Sequence, residues 1–244
     1  MIKNILKGIK AYVGAFNLIS KLSLWKYFAI PILISLITAL TIGFSAYTFS
    51  DNIIDYISSL IPNWNPPNWV RSIEIIVISL IIVAIGLILY KHIVMALSAP
   101  FMSPVSEKIE HHILENQHLS QRETAFSQQL WRGIRINLRN LVKEILLTIP
   151  ILIIGFIPVI GIFSTVLLFL IQSFYAGFGN MDYTLERHFN YKDSINFVNK
   201  HKGLAVGNGI VFMLLLLIPV IGIILVLPLS VVSATKVTIN ELHS

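Results

Sequence analysis

The chain of 244 residues contains no cysteine. Thiol catalysis, disulfides and cysteine-based metal sites are excluded, and nothing about the compartment follows. Charge is scarce as well. Only 12% of residues are charged, about half the ~25% of an ordinary soluble domain. Walker, Rossmann, Ser-His-Asp and HExxH patterns are missing, so the sequence carries no signal for nucleotide-driven or hydrolytic chemistry. The apolar runs do not alternate with polar positions as membrane barrel strands do. The uncharged runs hold no acid and no histidine, which leaves an intramembrane enzyme without an obvious catalytic group. The expectation is a protein that is not an enzyme and that holds no cofactor.

What the chain has in abundance is apolar length. Hydrophobic residues make up 55% of it, gathered into four long stretches, and a bilayer core takes about 20 helical residues. The fold class is therefore an all-α integral membrane protein, organised as a single membrane domain over residues 1–244. The net charge of +6 points to anionic lipid headgroups rather than nucleic acid. The first apolar run begins only at Tyr27 and is longer than the core of a signal peptide.

Residues 1–26 carry five lysines and no acid. Ile2, Ile5, Leu6, Ile9, Val13 and Phe16 share one helical face, which predicts a basic amphipathic helix on a membrane surface, ending near Ser20 to Ser23. Residues 27–50 form a first span. Residues 51–72 read as a loop with Tyr56, Trp64 and Trp69 at an interface. A second span covers residues 73–97. The polar region 98–140 is interrupted by Pro100 and Pro104 and then carries a modest helical stripe of Val105, Ile109 and Ile113.

Two apolar segments follow, residues 141–181 and 203–238. Each contains the same hexapeptide: Ile157-Pro158-Val159-Ile160-Gly161-Ile162 returns as Ile218-Pro219-Val220-Ile221-Gly222-Ile223. No charge falls between Ile145 and Met181 or between Gly203 and Thr235. Each segment is too long for one untilted span and short for two. Proline and glycine at the middle supply a break, so each segment reads as a re-entrant or partly penetrating helical hairpin. Of the 18 Lys and Arg, only Arg71 lies between the two full spans. The positive-inside rule then puts the N- and C-termini and both hairpin mouths on the cytoplasmic side of the membrane.

Several residue groups suggest chemistry. Arg132, Arg135 and Arg139 share a helix face at the mouth of the first hairpin. They read either as a basic funnel for an anion or as interfacial anchors, with anchoring the commoner role. Asp182, Glu186 and Arg187 read as groups that hold the hairpin ends together, with Asp182 capping the next helix. At the turns, Pro158 and Gly161, like Pro219 and Gly222, leave helix starts with no side-chain cap. Their free N–H groups either face an anion path or are satisfied locally. His111, Glu115 and His118 have helical spacing but read as a solvated face, and no metal is predicted.

The strings Leu130-Trp131-Arg132-Gly133-Ile134-Arg135-Ile136-Asn137-Leu138-Arg139 and Gly177-Phe178-Gly179-Asn180-Met181-Asp182-Tyr183-Thr184-Leu185-Glu186-Arg187 carry a resemblance. With the repeated hairpins, they make the chain similar to the CysZ-type sulfate permeases, which share a domain with the etoposide-induced endoplasmic-reticulum membrane proteins. The resemblance implies two full spans, two partly penetrating hairpins and a homo-oligomer of the bacterial inner membrane. Its substrate would be sulfate or a similar inorganic anion, passed inward for cysteine synthesis. The family's sulfate contact is a Gly-Leu-Arg-Arg string before the first span. The matching positions are Ser23, Leu24, Trp25 and Lys26, where a hydroxyl and an ammonium stand in place of glycine and the guanidinium forks. The other reading is a membrane scaffold or lipid-interacting protein without transport.

Overall fold

The computed structural model describes residues 1–60, 66–114, 124–155, 157, 160–218 and 220–243. Trp64, Glu115, His118, Pro158 and Pro219 lie outside them. The described residues form nine α-helices and one 3-10 turn, with no strand among them. Four helical stretches are long and apolar enough to cross a membrane: Leu24–Ser59, Ile85–Ile113, Gly161–His188 and Gly222–Leu242. The protein is an all-α, multi-pass membrane protein.

The N-terminal segment is not one helix. α1 (Ile2–Lys10) and α2 (Ala15–Lys21) are separated at Gly14, whose φ of 79° is left-handed and suits glycine. α1 lies along α8 (Lys202–Leu216) through small residues. A Cβ on Gly8 would meet Leu204 O at 2.6 Å, and one on Gly207 would strike Ile5 O. Tyr12 secures the contact by donating to Asn208 O at 2.8 Å, with Ser230 Oγ at 2.7 Å. Burial pushes its hydroxyl pKa well up, against a smaller opposing effect of Ser230. Ile2, Leu6, Val13 and Phe16 stay exposed. The amphipathic expectation holds for the outer face, but the opposite face packs on α8.

A 3-10 turn, Leu24–Phe28, leads into α3 (Ala29–Ser59), and α3 pairs with α4 (Asn68–Ile113). Both helices outrun the apolar segments. Residues 51–59 and 68–72 are helix rather than loop, and Asp55 in α3 and Arg71 in α4 pair across the hairpin at 2.6 Å. α4 has 46 residues, about 69 Å at 1.5 Å per residue. It passes Pro100 and Pro104 without a break, contrary to the sequence expectation. Neighbouring side chains bond carbonyls beside the prolines: Tyr183 Oη donates to Met95 O at 2.7 Å and Arg187 Nη1 to Ser103 O at 3.2 Å.

α5 (Phe126–Gly155) and α6 (Ile160–His188) make the first repeat hairpin. α8 and α9 (Ile221–Leu242) make the second. α6 and α8 cross on small residues. A Cβ on Gly177 would strike Ala205 O and one on Gly209 would strike Ser173 O. Between the hairpins, α7 (Tyr191–Lys200) is capped by Asn190, whose Oδ1 accepts from Lys192 N and Asp193 N. Asp182 is therefore not a cap. It lies within α6, which continues to His188.

Candidate functional site

α5 is inside-out. Trp131, Leu138, Val142, Leu146, Ile149 and Ile153 are exposed, whereas Asn137, Asn140, Glu144 and Thr148 are buried at helical spacing. An exposed apolar face against a buried polar one is the arrangement of a helix with lipid outside and a polar interior. α4 supplies what the polar face meets. Lys91 Nζ lies 2.6 Å from Glu144 Oε1 and 3.3 Å from Gln172 O. His92 Nε2 lies 2.9 Å from Glu144 Oε2. The Lys91 and Glu144 side chains have no solvent exposure and that of His92 only 2%. Four polar atoms of this seam have no hydrogen-bond partner among the described residues: His92 Nδ1, Asn137 Oδ1, Asn140 Nδ2 and Thr148 Oγ1. Buried polar atoms left open in this way mark room for water or a ligand.

The sequence reading missed the seam. Lys91 and His92 fall inside the second span (residues 73–97), and Glu144 falls at the start of the first apolar segment (residues 141–181), just before its uncharged stretch. The available signal was the spacing of Asn137, Asn140, Glu144 and Thr148 along one face of an otherwise apolar helix.

Arg132 faces inward. Its Nε and Nη2 donate to Asp182 Oδ2 and Oδ1 at 3.1 and 2.9 Å. Nη1 donates to Phe189 O at 2.8 Å and Nη2 to Ser194 Oγ at 2.6 Å. Burial alone would favour the neutral guanidinium, but the Asp182 carboxylate outweighs it and holds the pKa above the ordinary value. Arg135 instead lies over the Tyr191 ring at 4.0 Å. Arg139 lies over Phe178 at 5.1 Å and donates to Asn140 Oδ1 at 2.8 Å. Arg135 and Arg139 border a surface groove of about 610 Å³ with Trp131, Leu138, Val142 and Lys143. The three arginines thus divide, one into the packing and two toward the groove.

Arg187 turns away from that stripe. Its Nη2 donates to Glu110 Oε2 at 2.7 Å and to Ser106 Oγ at 2.8 Å, and His188 Nε2 lies 2.7 Å from Glu110 Oε1. Ser106, Thr184 and Thr235 form a hydroxyl triangle beneath, joining α4, α6 and α9. Glu186 is buried in the same layer, next to Ser103.

In the segment before the first span, Ser23 is left-handed at φ 52°. The Leu24 side chain is fully buried. Trp25 packs edge-on between Phe16 and Phe28, and its Nε1 donates to Ser20 Oγ at 3.3 Å. Lys26 lies 5.4 Å from the Tyr27 ring centre and Lys108 of α4 lies 5.5 Å from it. Two exposed ammonium groups therefore flank one aromatic ring. Lys108 is a neighbour that no linear motif indicates.

At the hairpin turns, Gly161 N donates to Ile157 O at 3.1 Å and Gly222 N to Ile218 O at 2.7 Å. Ile157 N, Ile218 N and Ile224 N also bond nearby carbonyls. These donors are satisfied locally. A Cβ on Gly161 would meet Gly155 O at 2.7 Å and one on Gly222 would meet Leu215 O at 2.6 Å. Both glycines therefore serve close packing across the break. His111, from the histidine-rich face, lies 3.8 Å from Glu107.

A family model described as "Sulfate transporter CysZ/Etoposide-induced protein 2.4" matches residues 11–227. The sulfate transporter CysZ of Pseudomonas aeruginosa strain LESB58 is 24% identical over 237 residues, covering 94% of each chain. The same figures hold for the sulfate transporter CysZ of Pseudomonas aeruginosa strain PAO1 and that of Pseudomonas paraeruginosa strain PA7. These relatives are named as transporters and not as enzymes. An inside-out helix, two repeat hairpins and a match over most of the length converge: the chain belongs to the sulfate transporter CysZ/etoposide-induced protein 2.4 family.

Proposed function

We propose that the protein is a permease or channel of the bacterial inner membrane that passes sulfate, or a similar inorganic anion, inward for sulfur assimilation. The observation that carries this reading is the buried polar seam of α5 with Lys91 and His92. A scaffold in lipid has no use for a buried lysine and histidine beside polar atoms unpartnered among the described residues, which cost several kcal/mol, roughly, when nothing occupies the space between them. The names of the relatives point to sulfate as the anion.

Lys26, with Ser23 and Trp25, receives the anion, and Lys108 completes the receiving site. Leu24 contributes only backbone, since its side chain is buried. Arg135 and Arg139 attract anions to the mouth of the first hairpin and rest on lipid headgroups at the groove. Arg132 with Asp182, and Arg187 with Glu110, hold the hairpin ends in register. Termini and hairpin mouths face the cytoplasm, following the lysine and arginine bias. Part-way penetration of the second hairpin is supported by α8, whose 15 residues reach about 22 Å against a hydrocarbon core of about 30 Å, while its other arm, α9, is long enough to cross. The assembly is a homo-oligomer in which apolar faces such as that of α5 meet other copies or lipid.

Uptake of labelled sulfate into proteoliposomes containing the purified protein tests this. Saturable uptake well above protein-free vesicles is expected. Uptake equal to protein-free vesicles overturns the transport reading.

A further inference from the structure

We propose that Lys91, His92 and Glu144 form the internal oxyanion site, and that the Glu144 carboxylate occupies the oxyanion's place at rest. The inference rests on the transport reading and names the step at its centre. A carboxylate and a sulfate both present negatively charged oxygens to N–H donors. Here Glu144 uses both oxygens, one on the Lys91 ammonium and one on His92 Nε2. An incoming anion therefore meets donors already aimed at an anion, with a side chain in the way.

The groups around Glu144 show how it leaves. α4 presents Lys91 and His92; α5 presents Asn137 and Asn140; α6 presents Gln172 O and Tyr175. On α5 itself, Arg139 is turned to Phe178 and Asn140, and Lys143 is exposed. Lys91 is thus the cation in direct contact with the carboxylate, and His92 is its hydrogen-bonding partner. With Lys91 charged, Glu144 ionised and His92 neutral, the buried site has no net charge, the state that burial favours. A neutral His92 that donates from Nε2 leaves a lone pair on Nδ1, and that atom has no hydrogen-bond partner among the described residues. Asn137, whose Oδ1 is also unpartnered, neighbours the same ring and can accept from Nδ1 once it is protonated.

Charge balance then fixes the exchange. One proton binds the Glu144 carboxylate, which releases its hold on Lys91. A second proton binds His92 Nδ1. The site now carries two positive charges, on Lys91 and His92, and a divalent oxyanion between them restores neutrality. Release of the anion on the far side returns both protons and lets Glu144 close on Lys91 again. Two protons therefore accompany each divalent anion, and flux rises as pH falls.

The test is labelled-sulfate uptake by the full-length protein in proteoliposomes at about pH 5.5 and about pH 7.5. Wild-type flux is expected to rise at least about fivefold at the lower pH. Glu144→Gln, a stand-in for the protonated acid, is expected to exceed wild type at least about fivefold at the higher pH. Lys91→Met added to Glu144→Gln removes both charges without stranding either, and is expected to cut the flux of Glu144→Gln at least about tenfold. His92→Gln keeps the Lys91–Glu144 pair, so it folds even where Glu144→Gln does not. It is expected to lose the rise at low pH. The proposal is overturned if His92→Gln keeps the wild-type pH profile, if Glu144→Gln matches wild type at both pH values, or if the double variant carries as much as Glu144→Gln. Wild-type flux with any of these results sinks this proposal alone. No wild-type flux sinks the transport reading together with it.

Discussion

Ser23 and Arg132 show how differently single residues stand to the linear sequence. Ser23 stands in a left-handed turn, and its φ of 52° is a conformation glycine adopts without strain. Ser23→Gly is therefore expected to keep the fold and raise stability by up to about 1 kcal/mol, read as a small rise in melting temperature in detergent. A fall in melting temperature would show that the hydroxyl is holding the turn. Arg132 is the opposite case. Its charge was legible, but its use was not, because only packing brings Asp182, Phe189 O and Ser194 around it. Arg132→Met strands Asp182 and is expected to cost about 3 kcal/mol, measured as lost thermal stability. Arg135→Met gives up only a stacked contact on Tyr191 and is expected to cost about 1 kcal/mol or less. On the proposed receiving role of Lys26 and Lys108, Lys108→Ala is expected to raise the KM for sulfate several-fold with little change in maximal rate, because Lys108 flanks Tyr27 and lies outside the seam. An unchanged KM would remove Lys108 from that site.

At the scale of elements, apolar helices and the repeated break were readable, and α5 and α6, like α8 and α9, part at the repeat. Where helices end was not. α3 and α4 run past their apolar segments, and α4 passes two prolines, because neighbouring helices supply hydrogen bonds and ion pairs that no local pattern contains. The crossing of α6 and α8 depends on the absence of side chains at Gly177 and Gly209. Gly209→Val places a branched side chain against the backbone of Ser173 and is expected to destabilise the protein by about 3 kcal/mol or abolish folding. Thermal melting and the yield of monodisperse protein check it. Gly43, which has open space around it, is the control position and should tolerate alanine.

For the whole molecule, the lack of cysteine makes topology directly measurable. Single cysteines can be introduced into a background with no thiol of its own. A membrane-impermeant maleimide is expected to label Tyr56→Cys from outside intact cells. Lys192→Cys and His243→Cys should react only after the cells are opened. Labelling of Lys192→Cys in intact cells would reverse the orientation given by the lysine and arginine bias.

The sequence by itself determined that this is a helical membrane protein, how many apolar segments it has, where the two breaks fall and which side the positive charges favour. Those properties depend on composition and on local spacing, because lipid demands about 20 apolar residues per span and satisfied backbone within it. The tertiary structure alone decided which polar residues meet. Lys91 and His92 are more than fifty residues from Glu144, and Arg187 is 77 from Glu110. In a low-dielectric interior a charge persists only beside its partner. The partner is chosen by how helices pack, which no local stretch of sequence records.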